Sequence, residues 1–271
     1  MSVMNAIRTN EGAMVALQTL NSTSSALNTV QKQISTGYRV ADATDDGAAY
    51  AVAQRVRSDV GALTSANQQL GNVQGLLSTT TSGLNNISNT MSSMRNVLVK
   101  LADGGTSGNT RTQYTAQYQS LLANVKSFIQ DASYNGKTLI GDITGSSGTI
   151  ASVAVVRNET GSTYGVGTFS GSAFLGSLSF TTTQMSAATS MQAAITASGV
   201  FINKMNSIGS QLNTYGSANN YINNQITYNS SKIDALNSGM GSLIDANMAQ
   251  ESAQLQALQI RQQLATQSLS I

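Results

Sequence analysis

Apolar residues recur every seven positions through the first half of the chain. One ladder runs Val56, Leu63, Leu70, Leu77, Leu84, Met91, Leu98, and a second runs Val52, Asp59, Ala66, Val73, Thr80, Ile87, Met94, Leu101. Interleaved, the two give the alternating four-and-three spacing of a coiled-coil seam. No proline interrupts it. About fifty residues rising about 1.5 Å each predict a rod of about 75 Å, too long for the inside of a globule. Such a helix needs partner helices along its length, from this chain or from copies of it. The polar members Asp59 and Thr80 weaken the seam; they either fix its register or face solvent near a helix end.

The flanks carry helical patterns of their own. Residues 3–34 read as a helix with a narrow stripe of Met14, Leu17, Leu20, Leu27, Val30 and Ile34, ended by Gly37. Residues 36–47 break the pattern. There Asp42 or Thr44 is expected to cap the following helix, and Asp45 and Asp46 suit the positive end of its dipole. Those carboxylates lack the spacing of a calcium loop. A turn at 103–108 leads to a third helix over 110–132, with Tyr114, Tyr118, Leu121, Val125, Phe128 and Ile129 on one side, folding back antiparallel on the rod. Asn135-Gly136 is a hairpin signal.

Residues 138–183 are rich in Gly, Ser and Thr, and three runs read as strands: 150–156, 164–169 and 173–182. Helical periodicity returns near Met191 and continues through Ile195, Ile202, Met205, Leu212, Ile222, Ile226, Ile233 and Leu236. Gly239 and Gly241 mark a weak point. The final segment runs Ile244, Met248, Leu255, Leu258, Ala265, Leu269. The two terminal helices carry uncovered stripes of similar length, and the economical solution pairs them with each other. The expected fold is mainly α: a long antiparallel coiled-coil or bundle rod built from both chain ends, with a small β outer segment.

Composition narrows the function. The 271 residues contain no Pro, Cys, His or Trp, and only 10% are charged, with a net charge of +2. A surface of Ser, Thr, Asn, Gln and Gly repels its own copies little and suits dense packing. The weak, unclustered positive charge gives no footprint for nucleic acid. No apolar run reaches 18 residues, so no spanning helix and no membrane insertion is expected. Residues 1–20 lack the apolar core of a signal peptide, which predicts either a cytoplasmic chain or exit without a cleaved signal. Without His or Cys the usual bases, nucleophiles and metal ligands are missing, so catalytic, cofactor and metal sites are all expected to be absent. The Ser/Thr-rich middle suits a solvated surface, O-glycan acceptors or an adhesive surface. Asn158-Glu159-Thr160 fits the N-glycosylation pattern.

Several segments resemble bacterial flagellin, and together with the helical plan they cover nearly everything except residues 141–183. Asn10-Glu11-Gly12-Ala13-Met14 through Leu17 resembles the family's N-terminal signature. Ile34-Ser35-Thr36-Gly37-Tyr38-Arg39-Val40, then Ala43-Thr44-Asp45-Asp46-Gly47-Ala48-Ala49, resembles its best-known block. Ala132-Ser133-Tyr134-Asn135-Gly136-Lys137 resembles the turn before its outer region. Ser242 through Ala253 and Leu258 to Leu264 resemble its C-terminal block. The short middle is similar to that of compact alphaproteobacterial flagellins.

The resemblance implies a structural subunit that self-assembles into the flagellar filament for swimming. Residues 1–43 with 237–271 would form the inner terminal coiled coil, 44–140 with 184–236 the surrounding rod, and 141–183 the outer segment. The inner seam would use Met14, Leu17, Leu27, Ile34, Leu255, Leu258 and Leu269. Polar contacts between copies would use Arg39, Asp45, Asp46, Arg55 and Arg57, whose plainer roles are capping and a solvated face. Implied partners are other flagellins, the filament cap, hook-associated proteins, the flagellar type III export apparatus and an export chaperone. The alternative within the resemblance is the flagellin-like adaptor at the hook–filament junction. Members of the family usually continue past the C-terminal block, whereas this sequence ends at Ile271, which implies a shorter inner tube or a missing tail. The Gln-Arg pair of flagellins seen by the vertebrate Toll-like receptor is replaced by Ser92 and Ser93, with Arg95 retained, so receptor activation is not expected.

Overall fold

The computed structural model describes residues 10–269. Helix α1 (Glu11–Thr36) starts where the Asn10 side chain accepts from the Ala13 amide at 3.2 Å. It stops at Gly37, whose φ of 74° is the left-handed cap and whose N–H donates to Gln33 O at 2.8 Å. The expected start near residue 3 lies outside the described residues. Helix α2 is Gly47–Ala102, α3 Gly108–Asp131, α4 Gly171–Leu178, α5 Thr182–Ser186, α6 Ala188–Ile195, α7 Val200–Ile244 and α8 Met248–Leu269. Four short strands lie between α3 and α4: β1 (Lys137–Thr138), β2 (Thr149–Ile150), β3 (Val153–Val156) and β4 (Thr163–Val166). The chain divides into two compact units, one formed by residues up to Gly61 with those from Lys232, the other by Ala62–Ser231.

In the unit Ala62–Ser231 both heptad ladders of α2 are buried from Leu63 to Leu101. Thr80 is fully buried as well, because its hydroxyl donates to Leu76 O at 2.8 Å and leaves no unpaired donor. Around the seam pack Tyr118, Val125 and Ile129 of α3 and Phe201, Ile208, Tyr215 and Ile222 of α7. Residues of the middle segment join the same core through Val155, Val166, Phe174 and Leu178. The buried tyrosine hydroxyls are satisfied: Tyr118 donates to Leu178 O at 2.8 Å and Tyr215 to Gly167 O at 3.1 Å. Burial pushes the Tyr215 hydroxyl up to about 12 and that of Tyr118 higher still. Arg111 closes the end of α2, donating to Leu101 O at 2.8 Å and Asp103 O at 3.0 Å, which answers the free carbonyls of a helix terminus.

The middle segment departs from expectation in one respect. Residues 173–182 are not a strand. Most of them belong to α4, capped by Ser170, whose hydroxyl accepts from Ala173 N and donates to Asp142. Phe174 and Leu178 sit four apart and are buried, so the apolar run is one helix face rather than a strand. A capping box of Thr181 and Gln184 then opens α5. The Asn-Gly turn does form, with φ of 49° at Asn135 and 72° at Gly136, and it brings Tyr134 against Lys137. β1 then pairs in parallel with β2, and β3 pairs antiparallel with β4, with Val153 opposite Val166 and Val156 opposite Thr163.

The β3–β4 hairpin is tied to the helices by polar groups that the apolar pattern does not report. Tyr164 stacks on Tyr221 of α7 at 4.1 Å, and Arg157 donates to the Tyr221 hydroxyl at 3.0 Å. Asn229 is fully buried and donates to both Asn67 Oδ1 (2.8 Å) and Arg157 O (2.9 Å). The side chain of Asn158 accepts from the Ser162 amide and the Thr160 hydroxyl, so the glycosylation-like triplet is a closed loop around its own asparagine.

Candidate assembly surface

The other unit is built around the pairing of α1 with α8. The end of α1 meets the start of α8: Tyr38 bridges Asp245, and the Ala246 amide donates to Gly37 O at 3.0 Å. The two helices therefore run antiparallel, as the matched stripes require. The weak point expected at Gly239 and Gly241 is absent, since α7 continues through both to Ile244.

The loop after α1 closes the last turn of α7. The backbone amides of Arg39 (2.7 Å) and Val40 (3.2 Å) donate to Ile244 O, and the Arg39 guanidinium donates to Leu243 O. Val40, Ala53 and Ile244 bury one another, with Tyr50 and Met240 alongside. Asp46, not Asp42 or Thr44, caps α2: its carboxylate accepts from the amides of Ala48 and Ala49 at 3.0 Å each. Asp42 and Asp45 instead grip Lys32 of α1 at 2.7 and 2.8 Å. Asp45 also accepts from the amides of Ala41 and Asp42, and Asp42 from that of Thr44. Arg57 lies over the Tyr38 ring at 5.6 Å, and Arg55 is exposed. Of the five polar residues, Arg39, Asp45, Asp46 and Arg57 thus have partners within the chain.

The Lys32 staple has a pH signature. Hydrogen bonding to Lys32 holds both carboxylates below the usual range, and the bonds to Asp42 and Asp45 raise Lys32. The depressed carboxylates contribute stability that is present above about pH 4 and is lost as pH falls through their folded values. The raised lysine contributes below about pH 10.4 and loses that contribution as pH rises through its folded value. We expect Lys32→Gln to lower the thermal stability of this unit slightly at pH 7 and thereby to flatten its acid limb, the loss being small because the groups are partly solvated. Circular-dichroism melts from pH 2 to 7 compare the two slopes.

Burial along the α1–α8 pair is uneven. Val30 and Glu251 toward the junction are buried, as is Thr23 midway along α1. Leu27, Ile34, Leu255 and Leu258 are half-buried, so the pairing covers them only in part. Toward the far ends large apolar side chains are open to solvent: Met14 at 66%, Val15 at 59% and Leu17 at 52% on α1, Ile260 at 58% and Leu264 at 60% on α8. The Leu269 side chain lies outside the described residues. Fully burying such a side chain is worth about 1.5–3 kcal/mol, so finishing the burial of these five offers roughly 4–8 kcal/mol. That is similar to the cost of bringing two proteins together, about 4–15 kcal/mol. A single pairwise contact is therefore marginal, and a lattice in which each copy meets several others is favoured.

Among the described residues no three His, Cys, Asp or Glu side chains are grouped to hold a metal, and no helix is long and apolar enough to cross a membrane. The fold and the open apolar stripes define a class: a helical structural subunit whose two ends pair and present an unfinished apolar surface.

The comparisons give that class its family. Residues 7–144 match the bacterial flagellin N-terminal helical region. Flagellin FljO of Caulobacter vibrioides is 31% identical over 268 residues, spanning 99% of this chain and 94% of that protein. The flagellin of Brucella melitensis is 30% identical, spanning 99% and 95%. The crystal structure of Bacillus cereus flagellin shares the fold at 17% identity with a TM-score of 0.50, over 60% of this chain and 88% of that one. The chain belongs to the bacterial flagellin family, close to its alphaproteobacterial members. It is a non-enzymatic subunit that polymerises into the flagellar filament.

Proposed function

We propose that the solvent-open far ends of α1 and α8 form the inner subunit-to-subunit seam of the filament. In this reading Met14, Leu17, Leu27, Ile34, Leu255, Leu258 and Leu269 pack between copies. Residues 44–140 with 184–236 form the layer around them, and 141–183 lie outside. The observation that carries it is the row of exposed Met14, Val15, Leu17, Ile260 and Leu264 on a helix pair that is otherwise already formed. Among the polar residues, exposed Arg55 is available to neighbouring copies, Arg57 packs over Tyr38, and Arg39, Asp45 and Asp46 hold the loop that orients α1.

The chain reaches the filament as an unfolded polypeptide through the flagellar type III export apparatus, escorted by a chaperone, and is received at the growing end by cap and hook-associated proteins. The absence of proline and cysteine supports this route, since no slow prolyl isomerisation or disulfide delays refolding. The test is electron microscopy of the purified chain seeded with filament fragments. Long uniform fibres are expected; particles that only cap the seeds would make it a junction adaptor instead.

A further inference from the structure

We propose that Met14 is an oxidation-sensitive position that makes assembly of the free subunit redox-dependent. The proposal rests on the reading of the α1–α8 far ends as the assembly seam. Among the described residues the methionines fall into distinct environments. Met91, Met94, Met185 and Met191 are fully buried in the core of the unit Ala62–Ser231. Met205 and Met240 are half-buried. Met14 and Met248 are open, and at 66% exposure Met14 is the more accessible of the two. Met14 also stands beside Val15 and Leu17 in the open apolar row, whereas Met248 lies at the junction end of α8.

The chemistry needs only an exposed thioether and a peroxide. The sulfur lone pair attacks one peroxide oxygen, the O–O bond breaks and an S–O bond forms. The departing hydroxide collects the proton and leaves as water. Sulfur is oxidised to the sulfoxide and hydrogen peroxide is reduced. A flexible apolar side chain thereby becomes polar and chiral at the centre of a surface that must be desolvated. The sulfoxide must shed its hydration to enter the seam, which costs more than burying the thioether even where a neighbour such as Gln18, one turn along α1, can donate to it. Once the filament forms, Met14 is covered, and the sensitivity belongs to the subunit before assembly.

The experiment treats the full-length free chain with hydrogen peroxide, reads each methionine by peptide mass spectrometry and then measures seeded elongation. Among the described methionines oxidation is expected first at Met14 and Met248, with elongation slowed at least about tenfold. Met14→Leu, treated identically, should keep elongating within about twofold of its untreated rate, because Leu preserves volume and cannot be oxidised. Filaments exposed to the same peroxide should retain unmodified Met14. The proposal is overturned if Met14 in the free chain oxidises no faster than Met91, or if Met14→Leu loses elongation as the native chain does. Leu17→Asp separates the two readings. If that variant elongates normally, the seam assignment itself has failed. If it is blocked while the oxidised native chain still elongates, only the redox proposal has failed.

Discussion

Leu77→Asp is expected to abolish cooperative unfolding of residues 62–231. Leu77 is fully buried at the middle of the α2 seam, with Leu70, Leu84, Val73 and Thr80 as its ladder neighbours. Truncating such a leucine to alanine costs about 2–5 kcal/mol through lost transfer energy and the cavity left behind. Aspartate adds a charge with no basic partner in that apolar surrounding, which costs several kcal/mol more or forces the carboxyl to bind a proton. The sum reaches the whole stability of a typical domain, about 5–15 kcal/mol. Circular-dichroism melting should show the native chain with a cooperative transition that Leu77→Asp loses, Leu77→Ala keeps at lower temperature, and Leu77→Met barely moves. An unshifted melt for Leu77→Asp would mean that the ladder is covered by other copies rather than by this chain.

The same ladder shows how far the sequence speaks. From Leu63 to Leu101 every predicted position is inside, because one helix face meets one continuous set of partners and the seven-residue period records that directly. Nearer the start of α2 the pattern stops predicting burial. Val52 is 49% exposed and Val56 half-buried, while Ala53, outside both ladders, is buried against Val40 and Ile244. The partner there is a loop and a helix end, and periodicity carries no information about a change of partner. The α4 run was ambiguous for another reason: eight apolar and small residues are too few to separate a helix from a strand by period, although Ser170 and the Phe174–Leu178 spacing held the signal. The expected cap of α2 was Asp42 or Thr44, yet Asp46 takes the role, because only the backbone path decides which side chain reaches the free amides. The apolar character of Met14 and Leu17 was legible, but that they stay open after α1 pairs with α8 depends on how much width α8 offers, which no single stripe reports.

That openness makes Leu17→Asp the sharpest test of assembly. Leu17 is 52% exposed, so the free subunit can solvate an aspartate there and should fold and melt like the native chain. In the proposed seam the position is desolvated, so the variant would forfeit apolar burial while adding an unpaired charge. A loss of about 3 kcal/mol or more per contact would raise the concentration needed for elongation by at least about a hundredfold. Every added copy meets the same defect, so the penalty repeats along the polymer instead of being confined to one end. Sedimentation after seeding should leave Leu17→Asp in the supernatant at concentrations where the native chain pellets. Ser152→Asp, exposed between β2 and β3 in the outer segment, should pellet normally. Equal pelleting of both variants would move the seam away from the far ends of α1 and α8, whereas loss of Ser152→Asp as well would place the middle segment in the contacts between copies.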